Sequence, residues 1–320
     1  MDSLEGICSE FLKGRILSAE PFGDGHINDT YRVMTEDGDF VCQHVRRAMN
    51  VAVLEHNYGL YSEACDKAGW TYPAWLKTHA GKYFYTDQNE ERWRMYPLIW
   101  GDVQTPPLSR DVLFSCGQGL AKMHKILQTL AASPQAVYPK LHDLERYYEI
   151  YENLLCGKDL VEEQRDALIE GKIREGIREF RKLSLDRTKV VHGDAKLANI
   201  LFQEGKVKAF LDLDTVMQGS LLEDVADCIR SGCIVDGTLD EAAASELVGG
   251  YVSEAYGLID EEEIRLLPQV FRKICFELGL RYYTDAIAKE KVFKEKYPGH
   301  LLEKARGYFF LKGATSDFVR

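Results

Sequence analysis

Asp194, Asn199 and Asp212 are the residues of this 320-residue chain whose types and spacing suit one piece of chemistry. They lie in Val190-Val191-His192-Gly193-Asp194-Ala195-Lys196-Leu197-Ala198-Asn199-Ile200-Leu201-Phe202, followed after a short turn by Ala209-Phe210-Leu211-Asp212-Leu213-Asp214. Transfer of a phosphoryl group from a nucleotide needs a carboxylate that orients or deprotonates an acceptor hydroxyl. It also needs hard oxygen ligands to hold Mg2+ on the phosphates, which an amide oxygen and a second carboxylate supply. Asp194 suits the first role, Asn199 and Asp212 the second. A lone Asp-x4-Asn is an ordinary polar loop, since both residues favour turns. His-Gly-Asp, an Asn five residues after the Asp, and a Leu-Asp-x-Asp strand end, in that order, are much harder to reach by chance.

The elements that must position this set read as strand, polar loop, strand, turn, strand. The β-branched Val190 and Val191 lead into a loop holding His192, Asp194, Lys196 and Asn199. Ile200 to Phe202 is apolar, Gln203-Glu204-Gly205-Lys206 is a turn, and Val207 to Leu213 returns. This arrangement brings Asp194, Asn199 and Asp212 to one end of a small hairpin, with His192 and Asp214 as supporting neighbours. Lys196 either touches the terminal phosphate or sits solvated on the loop. Downstream, Asp224 and Asp227 share one face of a helix. Asp224 there can hold the polar loop by accepting backbone N–H bonds, or simply complement the helix dipole.

Upstream, Ile16 to Phe22 reads as a strand, followed by Gly23, Asp24, Gly25 and His26. Glycines between two strand patterns make a hairpin whose backbone can approach a ligand closely; phosphates are the functional candidate and a plain β-turn is the competing reading. Asp29 follows and could point instead to the acceptor. Asp39 to Val45 pairs with the preceding strand, and in the kinase superfamily that the loop motifs resemble this strand usually carries a Lys or Arg for the phosphates. If Cys42 faces adenine, period-two alternation gives that place to His44, with Gln43 and Arg46 as near alternatives and Arg46 or Arg47 contributing charge. Val51 to Ala68 is helical, with Leu54, Tyr58 and Tyr61 at helical spacing. Tyr72–Leu76 and Tyr83–Thr86 read as strands. Trp93 to Ile99 reads as an apolar strand ending at Pro97, so that Pro97, Leu98 and Ile99 offer backbone groups to adenine. The remainder is helical in pattern: Asp111–Gln128, a helix opening at Leu141, Asp159–Leu183, Asp240–Gly257, Asp260–Ala288 and Leu301–Phe318.

Composition bounds the partners. With 45% hydrophobic and 28% charged residues the chain has ordinary globular balance. A net charge of −11 argues against a nucleic-acid partner. The eight cysteines include no C-x-x-C pair and no zinc-like cluster, which suits a reducing, cytoplasmic setting. Neither a signal peptide nor an apolar run of membrane-spanning length is expected.

The His-Gly-Asp-x4-Asn and Leu-Asp-x-Asp stretches resemble those of the aminoglycoside phosphotransferase/choline kinase superfamily. That resemblance implies an α+β, two-lobed protein-kinase-like fold. Residues 1–98 would form an N-terminal nucleotide-binding lobe, an antiparallel sheet with one main helix. Residues 99–320 would form a mostly helical lobe carrying the catalytic hairpin and the acceptor site. It also implies ATP and Mg2+ as cofactors and a small-molecule acceptor. Gly-His-Ile-Asn-Asp-Thr-Tyr (25–31), Leu-Asp-Leu-Asp-Thr-Val-Met (211–217), Asp-x-x-Asp-x-Ile-Arg (224–230) and Phe-Glu-Leu-Gly-Leu-Arg-Tyr-Tyr-Thr-Asp (276–285) resemble the N-acetylhexosamine 1-kinase branch. The implied product is a sugar 1-phosphate, with Asp29, Thr215 and Arg281 as acceptor-site candidates. Each of the three has a structural reading as well: a turn cap, a hydroxyl bonding the backbone, and a surface ion pair. The chain departs from the superfamily in lacking a Val-Ala-Ile-Lys strand. Other readings are a kinase of another alcohol (aminoglycoside, homoserine, choline, methylthioribose), an inactive nucleotide-binding pseudokinase, and a metal hydrolase built on His192, Asp194, Asp212 and Asp214.

Overall fold

The structure, a computed structural model, describes residues 3–23, 29–315 and 317–319. The chain divides into two compact units, residues 1–101 with 130–137, and residues 102–129 with 138–320.

The first unit is built on an antiparallel sheet of β1 (Ile16–Pro21), β2 (Asp29–Thr35), β3 (Gly38–Val45), β4 (Tyr85–Thr86) and β5 (Arg92–Pro97), in the order β1-β2-β3-β5-β4. The short helix α1 (Leu4–Ser9) covers one face, where Ile7, Cys8 and Phe11 pack on Val33, Cys42 and Met95. Helix α2 (Val51–Ala68) is tied to the other face through aromatic residues. Tyr58 stacks on Trp75 with centroids 4.2 Å apart, and the Arg94 guanidinium of β5 lies 4.8 Å over Trp75. Segment 130–137 joins this unit because Asn57 of α2 makes a two-way bond with Gln135: its amide donates to the carbonyl at 2.7 Å and its oxygen accepts the N–H at 2.9 Å. The expected strand at Tyr72–Leu76 is absent. Pro73 has no N–H to give a ladder, and the Trp75 N–H goes to the Tyr58 hydroxyl at 2.9 Å.

In the second unit, helix α3 (Arg110–Leu127) precedes α4 (Leu144–Leu155) and α5 (Ala167–Phe180). Two short ladders follow. β6 (Lys189–Val191) pairs with β9 (Met217–Gly219), and β7 (Ile200–Gln203) pairs with β8 (Lys206–Phe210). The helices α6 (Leu221–Gly232), α7 (Glu241–Glu254), α8 (Glu261–Ile264), α9 (Leu267–Ala286) and α10 (His300–Phe309) complete it. Leu144, Tyr151, Ile173, Ile177, Phe276, Leu280 and Ala305 belong to one core joining α4, α5, α9 and α10. Where α3 crosses α7, a Cβ on Gly117 would lie 2.0 Å from the Leu247 carbonyl and one on Gly250 2.0 Å from the Phe114 carbonyl, so the crossing needs both glycines.

Four helix expectations overrun. The stretch from Asp159 is broken because Asp166 caps α5, accepting the Leu168 and Ile169 N–H groups, and Arg165 is extended. Asp260–Ala288 is two helices, since Pro268 in the first turn of α9 cannot continue α8. The helix expected from Leu141 begins at Leu144, after Asp143 caps it, and His142 has a left-handed φ of 57°. The last helix stops at Phe309, and Phe318 packs separately against Phe271. Among the described residues no helix is long and apolar enough to cross a membrane.

Candidate active site

The polar loop between β6 and β7 is held by hydrogen bonds to its own backbone. Asp224, in the first turn of α6 and 2% exposed, accepts the His192 N–H on Oδ2 at 2.7 Å and the Gly193 N–H on Oδ1 at 2.9 Å. Burial by itself would raise the Asp224 carboxyl. The His124 ring, with Nε2 3.0 Å from Oδ2, and the loop N–H groups outweigh that and hold it below the usual range. His124 is fixed in turn by the Tyr251 hydroxyl at 2.9 Å.

The His192 ring is fully buried. Its Nε2 lies 2.9 Å from the Leu211 carbonyl, which can only accept, so Nε2 carries the proton. Its Nδ1 then accepts from the Asp194 N–H at 3.3 Å. One ring thus links the residue before Asp212 to Asp194 itself. The Leu211 N–H also donates to the Asn199 carbonyl at 2.8 Å, which brings Asp212 to Asn199 at the end of the β7–β8 ladder. Asp212 turns out of that ladder with a left-handed φ of 56°.

Both donors to the Asp194 carboxylate fall on the same oxygen. Lys196 Nζ lies 2.6 Å from Oδ2, and Asn199 Nδ2 lies 3.1 Å from it and 2.8 Å from the Asp194 carbonyl. Among the described residues no protein donor reaches Oδ1. Because the partners of Asn199 Nδ2 are acceptors only, the amide must face them with its nitrogen, and Asn199 Oδ1 is the end turned away. An amide oxygen and a carboxylate, as Asn199 and Asp212 carry, are hard donors of the kind that fits Mg2+. Among the described residues no group of three or more His, Cys, Asp or Glu could hold a metal. Burial would lower Lys196, but Asp194, with Asp212 and Asp227 adding, raises it above its ordinary value. Its ammonium is therefore a fixed positive charge beside Asp194.

Gly193 is the residue this loop cannot exchange. Its φ is +84°, and a Cβ there would lie 2.5 Å from the Thr215 carbonyl. We expect Gly193→Ala to cost more than about 1 kcal/mol of stability and to displace Asp194, read as a lower melting temperature together with lower turnover.

Other expected site residues fall differently. Thr215 is buried, and its hydroxyl donates to the His192 carbonyl at 2.7 Å, the backbone bond that was its structural reading. Asp214 is also buried, 4% exposed. Arg281 lies between the rings of Tyr147 and Phe293, 4.9 and 5.3 Å from their centroids. Asp29 is in the first unit, paired in register with His44. Gly23 is exposed with φ +78°, whereas Asp24, Gly25 and His26 lie outside the described residues. Pro97 ends β5 without an N–H, and the Leu98 N–H is taken by the Asp39 carbonyl at 2.9 Å, which leaves Ile99 as the remaining main-chain donor of the three.

The surroundings of His44 follow from the register of β3. Cys42 packs under α1, so the alternation that gives His44 the face of Cys42 turns it to that side as well. The ring rests on Trp93, and its Nε2 bonds the Glu91 carboxylate at 2.8 Å. The opposite face, toward α2, carries Gln43. Its Oε1 accepts from Arg94 Nε at 3.0 Å, and its amide reaches Thr30 at 3.3 Å. His44→Ala is therefore expected to change nucleotide affinity by less than about threefold, measured by calorimetric titration; a loss above about tenfold would restore it to the phosphate site.

A buried charge cluster beneath the loop escaped the sequence reading. His142, Glu223, Lys273 and Glu277 are all at most 9% exposed. Lys273 Nζ donates to Glu223 Oε1 at 2.6 Å, to Glu277 Oε2 at 3.3 Å and to the His142 carbonyl at 3.2 Å. Arg187 donates to the same Glu223 oxygen and to the same carbonyl. The available signal was Lys273 and Glu277 at i, i+4 inside the apolar stripe Val270, Ile274, Leu280, where a solvated pair is not expected.

Residues 18–267 match the phosphotransferase enzyme family, APH. The chain is 22% identical to a homoserine kinase of Gluconobacter oxydans (strain 621H) over 267 residues, 79% of this chain and 78% of that one. Among solved structures it is similar to an amicoumacin kinase in complex with AMP-PNP, Ca2+ and Ami, with a TM-score of 0.68, 12% identity and coverage of 97% and 94% of the two chains. It is also similar to a microcompartment-associated aminopropanol kinase, with a TM-score of 0.65, 14% identity and coverage of 96% and 95%.

Proposed function

Since the chain belongs to the phosphotransferase enzyme family and carries its kinase-like α+β fold, we propose that it moves the terminal phosphoryl group of ATP to a hydroxyl of a small molecule, the anomeric C1 hydroxyl of an N-acetylhexosamine. The observation that carries this reading is the Asp194 carboxylate. Its Oδ2 is occupied by Lys196 and Asn199, which leaves Oδ1 to accept the proton of an acceptor hydroxyl. Mg2+, when bound, neutralises charge developing on the transferred group. Asn199 Oδ1 and the Asp212 carboxylate would hold it. Lys196 adds a positive charge beside the reacting oxygen. The loop bonds to Asp224 fix the base before substrate arrives, and such preorganisation is where this chemistry gains most of its rate.

Support for a sugar acceptor comes from the sequence stretches at 25–31, 211–217, 224–230 and 276–285. The second reading is an amino alcohol such as homoserine, favoured by the 22% match to a homoserine kinase. Binding of a nucleotide and a divalent cation is supported by the complex in which the similar amicoumacin kinase was solved.

A panel of GlcNAc, GalNAc, glucose, galactose, homoserine, choline and kanamycin, each with ATP and Mg2+ and read by mass spectrometry, separates these readings. A hexosamine 1-phosphate is the expected product. Transfer only to homoserine would replace the acceptor and keep the mechanism.

A further inference from the structure

Gly193 is held at both its N–H and its carbonyl. Its N–H is held by Asp224 of α6, and its carbonyl lies 3.1 Å from His142 Nε2. The other ring nitrogen of His142, Nδ1, lies 3.0 Å from Glu277 Oε1. A carbonyl and a carboxylate oxygen are both acceptors, so the two bonds exist together only if both ring nitrogens carry protons. From this geometry we propose that His142 is a positioning residue, a buried imidazolium that clamps the Gly193 carbonyl and so sets the orientation of Asp194, the next residue. The proposal rests on the reading of Asp194 as the catalytic base.

The surroundings suit a cation. His142 is 9% exposed and faces Glu277 and Lys273 of α9, Glu223 of α6, Arg187 before β6 and Tyr147 of α4. Burial would lower the ring, but the charge and hydrogen bond of Glu277, helped by Glu223, outweigh it and raise His142 to about 9. Burial would raise Glu277, but Lys273 and His142 bring it down to about 2. The sign follows. A histidine raised in the folded state contributes stability fully present below its ordinary value of about 6.5 and lost as the pH climbs through about 9. On losing one proton the ring keeps a single N–H, so it must release either Glu277 or the Gly193 carbonyl.

The test uses the full chain labelled with 15N in histidine, with His142 assigned by its disappearance in His142→Gln. Long-range 15N spectra from about pH 6 to about pH 10 should show this ring doubly protonated at neutral pH and titrating near 9. A neutral ring at neutral pH would overturn the proposal. That readout needs no acceptor, so it stands apart from the fate of the kinase reading. In turnover with ATP, Mg2+ and GlcNAc, His142→Leu should lose about 100-fold in kcat with KM for ATP within about threefold, the signature of a misplaced reacting group. His142→Gln keeps a neutral donor. It should recover activity to within about tenfold of the parent and lack the alkaline fall in kcat expected of the parent. A folded Leu variant with parental kcat, or an alkaline limb retained in the Gln variant, would overturn the clamp. If the Leu variant does not fold, the spectra and the Gln variant decide.

Discussion

Replacing Asp194 with Asn is expected to lower phosphoryl transfer by about 100- to 10,000-fold, the range that loss of a general base produces. The substitution is nearly isosteric, so the loop should survive it. An amide oxygen at the Oδ2 position can still accept from Lys196 and Asn199, which now lie 2.6 and 3.1 Å away. What is lost is the second carboxylate oxygen, the one without a protein donor among the described residues, and with it the basic site for the acceptor proton. Nucleotide affinity should change by less than about threefold, because Asp194 is not among the residues assigned to the phosphates or the metal. Asp212→Asn should show the converse, a raised requirement for Mg2+, since it weakens a hard anionic ligand and leaves Asp194 in place. The pair of variants, titrated with Mg2+ at saturating ATP, separates base from ligand. If Asp194→Asn kept parental kcat, the assignment of the base would be wrong.

The difference between what was legible in the sequence and what was not has a physical cause. The loop chemistry was legible because it is local. Residues 190–214 contain the proposed base, both proposed metal ligands and their bracing histidine, and a hairpin needs only its own turn and two apolar strands to form. Asp224 was legible for a related reason, since a carboxylate in the first turn of a helix has a short menu of partners. Strand β3 shows where locality stops. Alternation says that Cys42 and His44 share a face; it does not say which face, and α1, packing on Cys42 from outside the strand, makes that choice. The helix ends are the same problem at another scale. Asp166 and Pro268 end helices whose charge and apolar patterns continue through them, because a cap or a missing N–H acts at one residue while a pattern averages over many. Thr215 was read as an acceptor contact with a backbone bond as its structural alternative, and the bond to the His192 carbonyl depends on where the residues around positions 192 and 215 meet, which no local pattern states. The cluster of His142, Lys273 and Glu277 is the limiting case. His142 and Glu277 are 135 positions apart, and each alone is an unremarkable polar residue. Their burial exists only after α9 has packed.

Removing the Asp224 carboxylate should do more damage than any other single change outside the loop. Asp224→Ala leaves the His192 and Gly193 N–H groups and His124 Nε2 without their shared acceptor, all in a site that water does not reach. Breaking a buried pair of this kind costs about 3–5 kcal/mol, several times the value of an exposed ion pair. The expected results are a large drop in melting temperature and loss of transfer, because the freed loop no longer holds Asp194. Asp224→Asn isolates the electrostatic part. One amide oxygen can still accept one N–H, but its NH2 group must point at the other donor, so the variant should fold less stably than the parent and more stably than Asp224→Ala. The acid limb of the stability curve gives the third reading. A carboxyl held below its usual range contributes stability that is present above the unfolded value and lost as the pH falls through the folded one. The parent should therefore lose stability on the acid side, and both variants should lose less there, since the titrating group is gone. An acid limb unchanged in Asp224→Ala, measured by chemical denaturation at several pH values, would show that the loop is held by something other than this carboxylate.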